Sequence, residues 1–169
     1  MENFEKYKLF GFDIFNIPGH APDQVSFYHK ECNWLFAGDL LIENLPSNAF
    51  IEPNVDGNRT KSWVQQKQSL EKCLSIDIEL VFSGHGNIIE NPVKLVNDRI
   101  KEIDIKANNY LNMIKSGLST ASGIAQLRYQ GKYEKHFFNI MSEVIGILDY
   151  LEFQGKINKE MKKGIWNFY

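Results

Sequence analysis

The sequence predicts an α/β unit followed by a mainly helical one. Two patterns and a shift in charge carry that reading. Up to residue 92, short apolar runs alternate with turns rich in Gly, Pro and Asn, as strands and loops do. Beyond it, apolar residues recur at helical spacing. Residues 1–92 hold 7 Lys/Arg against 13 Asp/Glu, a balance of −6, and residues 93–169 hold 12 against 8, a balance of +4. Pattern and charge change together at Asn91-Pro92, so the expected units are 1–92 and 93–169.

Taken in order, "YKLFGFDIFNI" (7–17) alternates and is rich in aromatics, which predicts one strand or a bent pair. "PGH" breaks it. "QVSFYH" (24–29) and "NWLFAG" (33–38) read as a strand and a short buried strand, joined by the hairpin "KECN". The Asn-, Pro- and Gly-rich stretch from Leu41 to Thr60 reads as a long loop, a feature often tied to function. "TKSWVQQKQSLEKCLS" (60–75) predicts a helix with Thr60 as a cap, and "IELVFSG" (78–84) a buried strand.

From Pro92, a favoured first-turn residue, the spacing of Val96, Ile100, Ile103, Ala107, Tyr110 and Ile114 predicts a helix ended by Gly117. "STASGIAQLRY" (119–129) predicts a short capped helix. Residues 134–155 predict a third, with Phe137, Met141, Val144, Leu148 and Leu151 on one face. The tail "KINKEMKKGIWNFY" reads as a two-stranded wing turning near Lys162–Gly164. Three helices and a wing match a winged-helix module, with Phe137, Phe138 and Trp166 expected in its core.

Composition narrows the function classes. Hydrophobic content of 43% and charged content of 24% are those of a soluble globular chain. No run approaches the roughly 20 apolar residues of a membrane span. "MENFEKYKLF" lacks the apolar core and cleavage site of a signal peptide, so cytoplasmic residence is the expectation. Two cysteines, Cys32 and Cys73, are too few for a disulfide framework, and His29-x-x-Cys32 reads as a solvated hairpin. The exposed face of 137–154 is expected to carry Glu143, Asp149 and Glu152 without Lys or Arg. Acidic residues repel phosphate, which argues against nucleic-acid binding, and Lys156, Lys159, Lys162 and Lys163 read as a solvated run. His136 reads as a surface residue. The helical unit is expected to cover substrate or to dimerise.

Three residues stand apart. His20 in "IPGHAPD", Asp39 in "FAGDLL" and His85 in "FSGHG" each follow a strand-like run at a glycine-bearing turn. Neutral imidazole and carboxylate are ligands for zinc and similar divalent ions. Ligands at strand ends of one sheet can converge although distant in sequence. Arg59 in "DGNRT" could face an anionic substrate from the long loop.

"IPGHAPDQVSFY", "FAGDLL" and "FSGHG" resemble, in order and spacing, the third, fourth and fifth metal motifs of the metallo-β-lactamase superfamily. The resemblance covers nearly the whole chain, because residues 93–169 look like the winged-helix domain appended to some members. It implies half of an αββα sandwich, a small-molecule substrate and metal-dependent hydrolysis of an ester, thioester or related bond. It also implies roles: His20 as the third histidine of the first metal site, Asp39 as a bridge offering two oxygens, and His85 as a ligand of the second metal. The family's opening motif, HxHxDH, is absent from this sequence; no two of His20, His29, His85 and His136 are separated by one residue. Zinc or another divalent metal is therefore expected to bind weakly or not at all to this chain alone, and the chain to be inactive by itself. Half a sandwich also bares a sheet face or edge, so a homo-oligomer or a missing N-terminal half is expected. The alternative is a non-catalytic oligomerising module.

Overall fold

The structure, a computed structural model, describes residues 7–9, 11–54 and 56–169. Most of the N-terminal stretch "MENFEKYKLF" lies outside them. Five strands form one sheet in sequence order: β1 (Tyr7–Leu9), β2 (Phe12–Asn16), β3 (Val25–His29), β4 (Trp34–Gly38) and β5 (Leu80–Ser83). The first four pair antiparallel, and β5 lies parallel to β4. The aromatic run at 7–17 is thus a bent pair. A parallel pair needs a crossover, and here it is the long loop plus helix α1 (Ser62–Cys73). Thr60 does not cap that helix. Its hydroxyl donates to the Glu52 carbonyl at 2.9 Å, which ties off the loop instead.

Side chains alternate across a strand, and here the two faces have different fates. Ser26, Tyr28, Leu35, Ala37 and Val81 are buried on one face, where Ser26, Tyr28 and Leu35 line a cavity together with Cys73 of α1. On the other face, register places Ile14 opposite Phe27, Phe27 opposite Phe36, and Phe36 beside Phe82. The Phe36 and Phe82 rings stack at 4.7 Å, Phe12 meets Phe36 edge-on at 5.7 Å, and Trp34 meets Phe82 at 5.4 Å. This face is apolar yet bare: Trp34 remains 36% exposed and Phe36 37%. The expectation that 33–38 is a buried strand holds for Leu35 and Ala37 only. His29 sits at the end of β3, edge-on to Phe12 at 5.0 Å, rather than in a free turn.

Helices α2 (Pro92–Lys115), α3 (Ala121–Arg128) and α4 (Phe137–Phe153) follow, then the hairpin β6 (Lys159–Lys162) and β7 (Ile165–Phe168). Thr120 caps α3 by accepting the Gly123 amide at 3.1 Å. The hairpin turn Lys163-Gly164 has positive φ at both residues, the geometry a tight two-residue hairpin requires.

Helix α4 is the shared core of the molecule, and it corrects two expectations. Glu143 and Asp149 do not face solvent. Asp149 is 3% exposed and takes a two-pronged ion pair from Arg59, at 2.7 and 2.5 Å. Glu143 accepts from Lys106 at 2.6 Å, from Tyr110 at 2.8 Å, and from Tyr129. Conversely, Phe138 is 85% exposed, and Phe137 and Trp166 are also exposed rather than core. The helical unit also contacts the first one. Ser142 of α4 accepts the Ile51 amide at 2.9 Å, and Lys67 of α1 reaches Asp104 of α2 at 2.7 Å and Tyr150 of α4 at 2.8 Å. At Gly146, α4 passes so close to Trp63 that an added Cβ would collide with the indole Cδ1.

Gly146→Ala is therefore expected to cost about 1–3 kcal/mol, the usual range for overpacking, read as a lower urea midpoint. Glu143 supplies a second test. Burial pushes its carboxyl pKa up, but Lys106 and the two tyrosine hydroxyls outweigh burial and hold it below the ordinary Glu value. A depressed folded-state pKa stabilises above the unfolded value, and that stability is lost as pH falls through the folded one. Wild type is thus expected to lose stability below about pH 4.5, and Glu143→Gln to show a shallower acid dependence in the same melts.

Candidate metal centre

His20, Asp39 and His85 come together at one end of the sheet. The parallel register of β4 and β5 pairs Gly38 with Ser83, and the Gly84 amide donates to the Gly38 carbonyl at 2.8 Å. Asp39 and His85 therefore leave neighbouring strands side by side. His20 arrives from the turn between β2 and β3. Its Nε2 lies 3.4 Å from Asp39 Oδ2, and His85 Nε2 lies 3.7 Å from the same oxygen. Both imidazoles address one carboxylate oxygen, rather than one each as the two-oxygen reading of a bridge implies.

The surroundings orient each group. His20 Nδ1 lies 2.8 Å from the Asn48 carbonyl. A carbonyl only accepts, so Nδ1 donates to it and Nε2 is the ring nitrogen left facing Asp39. An imidazole nitrogen and a carboxylate oxygen are donors that one divalent ion can share. The other carboxylate oxygen, Oδ1, lies so close to Gly84 that an added Cβ would collide with it. That close approach is the physical reason for glycine at this position of "FSGHG". Ser83 Oγ donates to the Leu41 carbonyl, and Arg99 Nη2 donates to the carbonyls of Ile42 and Glu43, both at 2.9 Å. These bonds pin the segment that follows Asp39. Gln24 Nε2 donates to the Ala37 carbonyl at 3.1 Å and steadies the end of β4.

The donors match a divalent ion in kind and spacing but not in number. Two ligands on a tetrahedral zinc, each at about 2.0–2.1 Å, stand roughly 3.3 Å apart, close to the His20–Asp39 separation. Yet among the described residues no group of three or more His, Cys, Asp or Glu side chains is arranged as a site for a metal ion. The reason is physical: each imidazole shares Asp39 with the other, and His85 is 72% exposed with its ring open to solvent. Each ion would have two donors where a catalytic zinc takes three from protein.

Arg59 is not directed at this site; its guanidinium is held by Asp149. Sequence reasoning did not find Asn48, whose backbone oxygen orients His20, or Arg99. A backbone acceptor leaves no residue signature, and Arg99 looks like any helix-surface arginine. Gly84 could have been found, being visible in "FSGHG".

Residues 9–85 match the family model described as the metallo-beta-lactamase superfamily. A protein of Bacillus subtilis (strain 168), described as "Probable metallo-hydrolase YqjP", is 32% identical over 145 residues, which is 85% of this chain and 46% of that protein. A metallo-beta-lactamase family protein of Thermus thermophilus superposes with a TM-score of 0.79 over all of this chain and 53% of its own, at 18% identity. A beta-lactamase domain protein of Burkholderia ambifaria gives 0.72 over 99% of this chain and 51% of its own, at 16% identity. This chain thus spans about half the length of the relatives it matches. Residues 9–85 are thus similar to the metallo-beta-lactamase superfamily, and the full chain shares the fold of about half of these larger proteins.

Proposed function

We propose that this chain carries one half of a metal-dependent hydrolase and needs further ligands before it can turn over substrate. The observation that carries the reading is the convergence of His20 and His85 on one oxygen of Asp39. In the completed site His20 and Asp39 would hold one divalent ion, and Asp39 and His85 a second. Such ions supply a polarised scissile bond and an activated water. The chain's own contribution is orientation: Asn48 sets the His20 tautomer, and Gly84 leaves room for the carboxylate. The substrate class is an ester, thioester or related small molecule. With two donors per ion, metal affinity of the chain alone is low and its activity negligible.

A second reading rests on the bare aromatic face. An apolar sheet face rimmed by polar residues marks a pairing surface. It would take either the sandwich half that the longer relatives contain or a second copy of this chain, whether or not catalysis follows. Nucleic-acid binding is disfavoured because α4, the helix that would enter a groove, is enclosed by α1, α2 and α3 and offers no basic face.

The first test is a cobalt titration of the purified chain, followed by optical absorbance, with a panel of thioester and lactam substrates. Weak cobalt absorbance is expected, diminished by His20→Ala, His85→Ala or Gly84→Ala with unchanged circular dichroism, and no turnover. Full turnover by the isolated chain would contradict the claim of an incomplete site. The second test is light scattering with Trp34→Glu/Phe36→Glu. Wild type should self-associate and the double variant run as a monomer; a strictly monomeric wild type counts against the pairing surface.

A further inference from the structure

A cavity of about 300 Å³ lies between α1, α2 and the segment after β4. Its floor is made by Leu40, Trp63, Leu70 and Ile103, all buried in the core. It shares a wall with the candidate metal centre: Leu40 directly follows Asp39, and Ser47, which also lines it, has its Oγ 3.4 Å from His20 Nδ1.

The charge on its rim is uneven. Arg99 is answered by Glu102 at 2.9 Å and by backbone carbonyls. Lys106 is answered by Glu143 at 2.6 Å and lies 4.8 Å from the Trp63 ring centre. Arg128 has no carboxylate partner among the described residues; its guanidinium lies 5.6 Å from the Tyr129 ring centre. One uncompensated cation beside an apolar floor is the complement of a molecule with a single anionic end and an apolar body. A water occupies about 30 Å³ in the liquid, so the cavity accommodates on the order of ten non-hydrogen atoms. Cavities of this size and polarity hold small ligands.

The geometry points to this cavity as the binding site for a medium-chain or aryl monoanion, with its apolar body on Leu40, Trp63, Leu70 and Ile103 and its anionic end at Arg128. That such a molecule is the hydrolase's substrate rests on the function proposed above; that the cavity binds it does not.

The test uses the full chain after EDTA treatment, so that metal plays no part, and an octanoate probe bearing a terminal photoreactive diazirine. Labelling is expected on peptides spanning residues 63–70 and 99–109. Octanoate should compete at least ten-fold better than octylamine or octanol. Arg128→Gln should erase that preference, and Asn109→Trp, which lines the cavity, should block labelling while the fold is retained. Labelling confined to the strands of the bare sheet face, equal competition by the three octyl compounds, or no labelling at all overturns the assignment. Cavity labelling in a chain that turns over substrate unaided retains the cavity and removes only the incomplete-site reading.

Discussion

Asp39 and His85 are 46 residues apart in sequence and meet because β4 and β5 run parallel. In an antiparallel pair the C-terminal end of one strand lies beside the N-terminal end of the other. Only a parallel pair brings two strand ends, and the turns that follow them, to the same edge. The register Gly38 against Ser83 and the hydrogen bond from Gly84 to Gly38 then set the two turns level. Everything in the candidate centre depends on that alignment. His20 is positioned relative to it by the hairpin side of the sheet, and the crossover that the parallel pair demands becomes the long loop and α1.

The same crossover explains why the helical half packs against the first. The loop and α1 must lie across one sheet face, and their outer side then needs covering. Helix α4 covers it, with Gly146 against Trp63, Asp149 holding Arg59 and Ser142 holding the Ile51 amide. An ion pair such as Arg59–Asp149, with the carboxylate buried, is costly to break from one side. It is a fastening between loop and helix. Tyr129, at the end of α3, holds another side of α4: burial and its hydrogen bond to Glu143 push its hydroxyl pKa up to about 12.

Much of the fold is legible in the sequence. Strand and helix positions follow from period and turn residues, and the three glycine-bearing turns point to His20, Asp39 and His85. What is hidden has a common cause. Helical periodicity marks which residues share a face but not how many faces are covered. An ordinary surface helix keeps its charged residues in solvent, so Glu143 and Asp149 read as outward; α4 instead is packed on several sides and satisfies those charges internally. Phe137, Phe138 and Trp166 read as inward by hydrophobicity alone, although apolar residues are common on surfaces. The strand "NWLFAG" is apolar at nearly every position, as strands buried on both faces are. One of those faces is bare in this chain.

That bare face and the short ligand set describe one constraint twice. A sheet with α1 on one side and stacked aromatic rings on the other has the composition of an inner layer, one that is covered on both faces. The candidate ligands sit at the edge of that layer, where His85 is still largely in water. Covering Phe36, Trp34 and Phe82 would remove water from beside the site, and the covering element would also be the nearest source of additional donors. Metal affinity and sheet burial should therefore rise together: a ligand from outside this chain can be held rigidly only if the surface that carries it is docked, and the aromatic face is the docking surface the sheet offers. On the function proposed above, completing the candidate centre is a matter of packing first and of coordination second.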